Sequence, residues 1–184
     1  MSRAMGTAAD IFERDIWTVG DEAIGPTRFE ALVGSDSRAT AVLAVQFVAA
    51  RRMTCESQQA GLLGRRQVET MVAQLSSAEE SATVARAMMS SFEQRSRQLG
   101  DQRGSGITVG TVRTKRPSAG GELQRLDIEI NGAGKSTMIC ASIGPFVVTV
   151  LVADGDPYAD GGTMLRAIPM ERFAEKVMEG LAGK

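Results

Sequence analysis

Eighteen consecutive residues without a charge, Ser136 to Ala153, constrain this chain more than any other feature. A bilayer span needs about twenty predominantly apolar residues in one helix. This stretch is broken in its middle by Gly144-Pro145 and carries Ser136, Thr137, Ser142 and Thr149. It therefore reads as two strands joined by a tight turn. Thr137, Ile139, Ala141 and Ile143 fall on one face of the first strand. Phe146 to Val152 is apolar on both faces, as a central strand must be.

The flanking segments fit around this pair. Leu126, Ile128 and Ile130 alternate with Arg125, Asp127 and Glu129, giving one buried and one wet face, and Asn131-Gly132 opens a tight turn. Ile107, Val109 and Val112 mark a preceding strand, and Val68 to Leu75 another. Ser76 and Ser77, each followed three residues later by a Glu, predict a capping box for a helix over 77–99. Its apolar stripe is Ala78, Ala82, Ala85, Met89, Phe92 and Leu99, and Gly100 ends it. A last helix starts near Pro169, with Met170, Phe173, Ala174, Val177, Met178 and Leu181 on one side. Upstream, residues 7–17 and Pro26 to Val33 read as short helices, the second opened by proline and closed by Gly34. Residues 39–50 are ambiguous between helix and strand. Their Val and Phe tip the reading to a strand, and 55–66 reads as a loop or short helix. Tight turns between successive strands require antiparallel pairing. The expected fold is α+β: an antiparallel sheet of about five strands with two main helices packed on one face. Residues 1–36 form a short helical N-terminal segment, and 37–184 form a single domain.

Composition then removes chemistry. The chain has no histidine, which excludes Ser-His-Asp and Cys-His catalysis and histidine-ligated metals. Charge is balanced overall but uneven along the chain: residues 1–36 carry −4, 37–116 carry +6 and 117–184 carry −3. The basic middle either faces an anionic partner or pairs with the acidic ends on solvated faces. No aromatic platform interleaves with the basic residues, so nucleic acid is not an expected partner.

Three motifs need weighing. Gly132-Ala133-Gly134-Lys135-Ser136-Thr137 ends like a phosphate-binding loop, but Glu129 stands where that pattern needs glycine, and a strand follows where a helix is needed. It reads as a hairpin turn with Lys135 in water. Asp154 to Gly162 holds three carboxylates within seven residues, but Tyr158 and Ala159 break the calcium-loop spacing, so it reads as a solvated turn. Cys55 and Cys140 are the only cysteines and allow one disulfide or two buried thiols. No catalytic residue, metal ligand or cofactor site emerges.

The segment Val68-Glu69-Thr70-Met71-Val72-Ala73-Gln74-Leu75-Ser76-Ser77-Ala78-Glu79-Glu80-Ser81-Ala82, with the ending Ile143-Gly144-Pro145-Phe146-Val147-Val148-Thr149-Val150, resembles actinobacterial extracytoplasmic lipoproteins and sensor-type domains, among them the mycobacterial kinase sensor domain. The resemblance covers about 67–183 and is a pattern of elements. Sensor domains of that kind carry more cysteines, and neither a lipobox nor an anchor is visible in these residues. It implies a non-catalytic binding or sensing domain outside the cytoplasmic membrane, attached to a membrane only through an anchor absent from these residues. The partner would be a small apolar ligand or a cell-envelope protein. Ten methionines against eight aromatic residues make an adaptable core. Met88, Met89, Phe92, Met170, Phe173 and Met178, on the two helix stripes, are the expected lining of an apolar cleft. A cytoplasmic interaction or assembly protein, working through a helix face or sheet edge, is the alternative class.

Overall fold

A computed structural model describes residues 17–57, 67–102, 104–131, 134–154 and 170–182. The elements, in order, are β1 (Trp17–Ile24), α1 (Pro26–Val33), α2 (Ser37–Gln46), β2 (Phe47–Ser57), β3 (Gln67–Leu75), α3 (Ser81–Gly100), β4 (Ile107–Val109), β5 (Arg113–Lys115), β6 (Glu122–Ile130), β7 (Gly134–Ile143), β8 (Phe146–Asp154) and α4 (Met170–Ala182). The strands form one sheet in the order β1-β2-β3-β8-β7-β6-β4, with β5 also on β6, so the sheet has eight strands where about five were expected. Every pairing is antiparallel.

β8 lies between β3 and β7, and its period-two pattern divides the molecule. Phe146, Val148, Val150 and Val152 enter one core together with Ile139, Ala141 and Ile143 of β7 and the stripe of α4. Val147, with Met138 and Cys140 of β7, enters a second core with α1, α2 and α3. The expectation of two helices on one face is therefore corrected: α3 and α4 cover opposite faces of the sheet. Strands apolar on both sides must be covered on both sides, and a helix stripe does not record which side it covers.

The remaining differences have local causes. Trp17–Ile24 is a strand, so the N-terminal segment contributes an edge strand before α1, while residues 7–16 of the expected first helix lie outside the described residues. The strand pairs with β2, and Asp21 and Glu22 meet Arg51 and Arg52 across the pair. Residues 37–46 are helical, against the leaning towards strand: Asp36 caps α2, its carboxylate accepting from the Ala39 N–H at 2.8 Å. Alanine carries that helix, and the strand begins only at Phe47. α3 starts four residues later than expected, with no side-chain cap. The Ser77 hydroxyl instead accepts from Glu79 N–H at 3.2 Å in the preceding turn, and the Ser76 hydroxyl bonds the Gln46 side chain. Ser81 Oγ lies 2.7 Å from Gly144 O and 2.9 Å from Ala78 O, which ties the helix start to the β7–β8 turn.

The buried side of α3 is accordingly rotated. Ser81, Val84, Ala85, Met88 and Met89 are buried; Ala82 and Phe92 are half-buried, and Ala78 and Leu99 are exposed. The larger Val84 and Met88 outweigh alanines in choosing the buried face. In α4 the expected stripe is buried throughout.

These burials make a measurable contrast. Phe173, fully buried under α4, should lose about 3–5 kcal/mol on Phe173→Ala. Half-buried Phe92→Ala should lose clearly less in the same urea-unfolding series.

Candidate functional site

On the α3 face the core is not filled. A cavity of about 420 Å³ lies between the second half of α3 and the sheet. Its roof is Met88, Phe92, Arg95, Ser96 and Leu99 of α3, with Leu32 of α1 beside them. Its floor is two adjacent rows of the sheet. Arg52, Met71 and Thr149 stand side by side on β2, β3 and β8, and Glu69, Leu151 and Met138 do so on β3, β8 and β7. Directly opposed residues share a face, so both rows point at the helix. α3 is well buried up to Met89 and increasingly exposed beyond it, and the space opens under that second half.

The charged side of the cavity is organised around Arg52. Its Nε donates to Glu22 at 2.7 Å, another guanidinium nitrogen bonds the same carboxylate, and Nη1 reaches Glu69 at 3.4 Å. Arg28 holds the other Glu22 oxygen at 3.0 Å. The hydrogen bond from Arg52, reinforced by Arg28, keeps Glu22 below the ordinary carboxylate range. Glu69 behaves oppositely. Burial among apolar side chains pushes it up, and the nearby Arg52 and Arg28 only partly oppose this. Arg95 donates to two backbone carbonyls, Ser91 O at 3.2 Å and Leu32 O at 3.3 Å.

The six residues expected to line one cleft are separated by the sheet. Met88 and Phe92 line the cavity, and Met89 is buried in the same layer. Met170, Phe173 and Met178 belong to the opposite core. The cysteines are separated too. Cys55 lies on the α4 side of β2 and Cys140 on the α3 side of β7. With β3 and β8 between their strands, they are roughly 14 Å apart across the sheet, beyond disulfide reach. No disulfide joins them. Burial pushes the Cys140 thiol far above its ordinary range, so it holds its proton.

β6 ends at Ile130, which pairs with Gly134 at the start of β7, so the loop resembling a phosphate-binding motif joins two strands of a hairpin. Gly132 and Ala133 lie outside the described residues. Lys135 is exposed and faces Glu129 at 3.4 Å. The acidic loop also lies outside the described residues from 155 onward.

A second polar group sits beside α4. Asp127 accepts from Arg125 at 2.8 Å, from Thr137 Oγ1 at 2.7 Å and from Arg113, while Arg125 also reaches Glu171 at 3.0 Å. Burial pushes Asp127 up, but these hydrogen bonds outweigh it and hold the carboxyl below its ordinary range. Every carboxylate in this group has its cation. It braces the end of the sheet against α4.

No family model matches the chain, and no curated protein does. Among solved structures, it is similar to the extracellular domain of PknH from Mycobacterium tuberculosis. The identity is 12% and the TM-score 0.51, over 95% of this chain and 81% of that one. The likeness is one of fold, and it is of the kind that the sequence resemblance named. Among the described residues, no helix is long and apolar enough to cross a membrane.

Reasoning from sequence passed over Arg52, Glu69 and Arg95. The available signal was Glu69, the one charged residue of β3, on the same face as Met71. Its raised titration has a definite sign. Glu69 ionises more readily unfolded than folded, so its contribution is fully present below its unfolded value, near 4.5, and is lost as pH rises through the folded value. Relative to wild type, Glu69→Gln should therefore gain stability progressively as pH rises from about 4 to 7. Urea unfolding at several pH values reads this, and a parallel pair of curves would contradict it.

Proposed function

We propose that this chain is a non-catalytic, extracytoplasmic sensor-type domain that binds a small apolar ligand between α3 and the sheet. The observation that carries the reading is the cavity itself. Protein interiors are close-packed, and on the opposite face of this same sheet the stripe of α4 is buried against β7 and β8. The α3 face leaves a space of about 420 Å³ lined by seven Met, Leu and Phe side chains and five polar ones, within the size range of small-molecule sites. Methionine walls adapt to ligands of differing shape. The fold likeness to an extracellular domain supports the location. Two features support a binding rather than a catalytic reading: the cysteine near this face keeps its proton, and Glu22 and Glu69 are engaged by Arg28 and Arg52.

A neutral apolar fluorophore such as N-phenyl-1-naphthylamine tests the reading. It should bind once per chain with a rise in emission. Leu151→Trp, which places an indole into the cavity, should weaken binding at least about tenfold while circular dichroism shows a folded protein. Met178→Leu, on the other face, should leave binding unchanged. No binding, or equal binding by Leu151→Trp, would overturn the proposal.

A further inference from the structure

The charges around the cavity do not cancel. Arg28 and Arg52 are balanced by Glu22 and Glu69, all four joined by contacts of 3.4 Å or less. Arg95, which also lines the cavity, stands outside this account. Its two hydrogen bonds go to carbonyl oxygens, which orient the guanidinium without neutralising it, and no carboxylate among the described residues pairs with it. The site therefore combines a chamber whose walls are mostly Met, Leu and Phe with one solvent-exposed, oriented cation at its edge that no carboxylate pairs. A guanidinium held in this way suits a carboxylate or phosphate oxygen. A cationic ligand would be repelled, and a neutral one would gain less, since charge-assisted hydrogen bonds are the stronger ones.

We infer that the ligand is a single-chain amphiphile with an anionic head, its chain lying along Met71, Met88, Met138 and Leu151 and its head against Arg95. The inference rests on the binding role proposed above and adds the ligand's chemical class. The volume accommodates it: about 420 Å³ equals the space of roughly fourteen water molecules at about 30 Å³ each, enough for a medium-length acyl chain.

Methionine methyl spectra provide the test. In protein labelled with ¹³C at the methionine methyls, Met71, Met88 and Met138 report on the cavity. Met170 and Met178, in the opposite core, serve as references. Decanoate, decyl phosphate, decanol and decyltrimethylammonium are titrated separately at pH 7. At least one of the two anions should shift the cavity methyls, leave the references in place and bind at least tenfold tighter than decanol. The tighter of the two names the head. Arg95→Gln should remove that advantage and Arg95→Lys should keep most of it. Binding of decanol or decyltrimethylammonium as tight as the anions, or an anion preference that survives Arg95→Gln, would overturn the inference and leave the binding role standing. If none of the four moves the cavity methyls, the binding role falls with it.

Discussion

The architecture depends on β8 being apolar on both of its faces. Phe146, Val148, Val150 and Val152 on one side and Val147 on the other are buried, and Leu151 is partly buried beside Val147's core. A strand with only one dry face could lie on a simple two-layer sandwich. This one requires a third layer. α4 supplies it with six buried side chains in thirteen residues. The other face is covered by three helices of differing length, and where α3 becomes exposed the cover is incomplete. The cavity is thus a consequence of how two unlike helical layers close over one sheet.

Charge works at the edges of this arrangement. The acidic start of the chain and the basic segment after it meet as β1 and β2, where Asp21 pairs with Arg51 and Glu22 with Arg52. Exposed pairs of this kind each contribute little to stability. Their effect lies in register: a slip of one residue would turn Arg52 away from the cavity face and put its neighbours there. The same logic closes the far end, where Asp127 gathers Arg113 and Arg125 beside α4. Among the charged residues that line the cavity, Arg95 is the one that no carboxylate of the described residues pairs.

Much of this could be read from residues alone, because some patterns have one physical solution. The alternation of Leu126 and Ile128, the Gly144-Pro145 turn and the stripe from Met170 to Leu181 each specify an element and its dry side. The chamber was half legible: Met88 and Phe92 sit on its wall, but Met170 and Phe173 were grouped with them because periodicity is silent on which face of a sheet a helix covers. The helix at Ser37–Gln46 was obscured because Ala and Val give competing preferences there, and the deciding group is a single capping carboxylate, Asp36. Arg52 and Glu69 were invisible as a pair because their meeting depends on strand register across seventeen residues.

The central claim is that one sheet carries two unlike cores: among the described residues, one in which the whole α4 stripe is buried, and one left hollow under α3. Xenon, which enters dry apolar cavities, examines both at once in crystals of the protein under gas pressure. The account predicts xenon between α3 and the sheet, bounded by Met71, Met88 and Leu151, and none between α4 and the sheet. Xenon under α4, or two helices on the same side of β8, would contradict it.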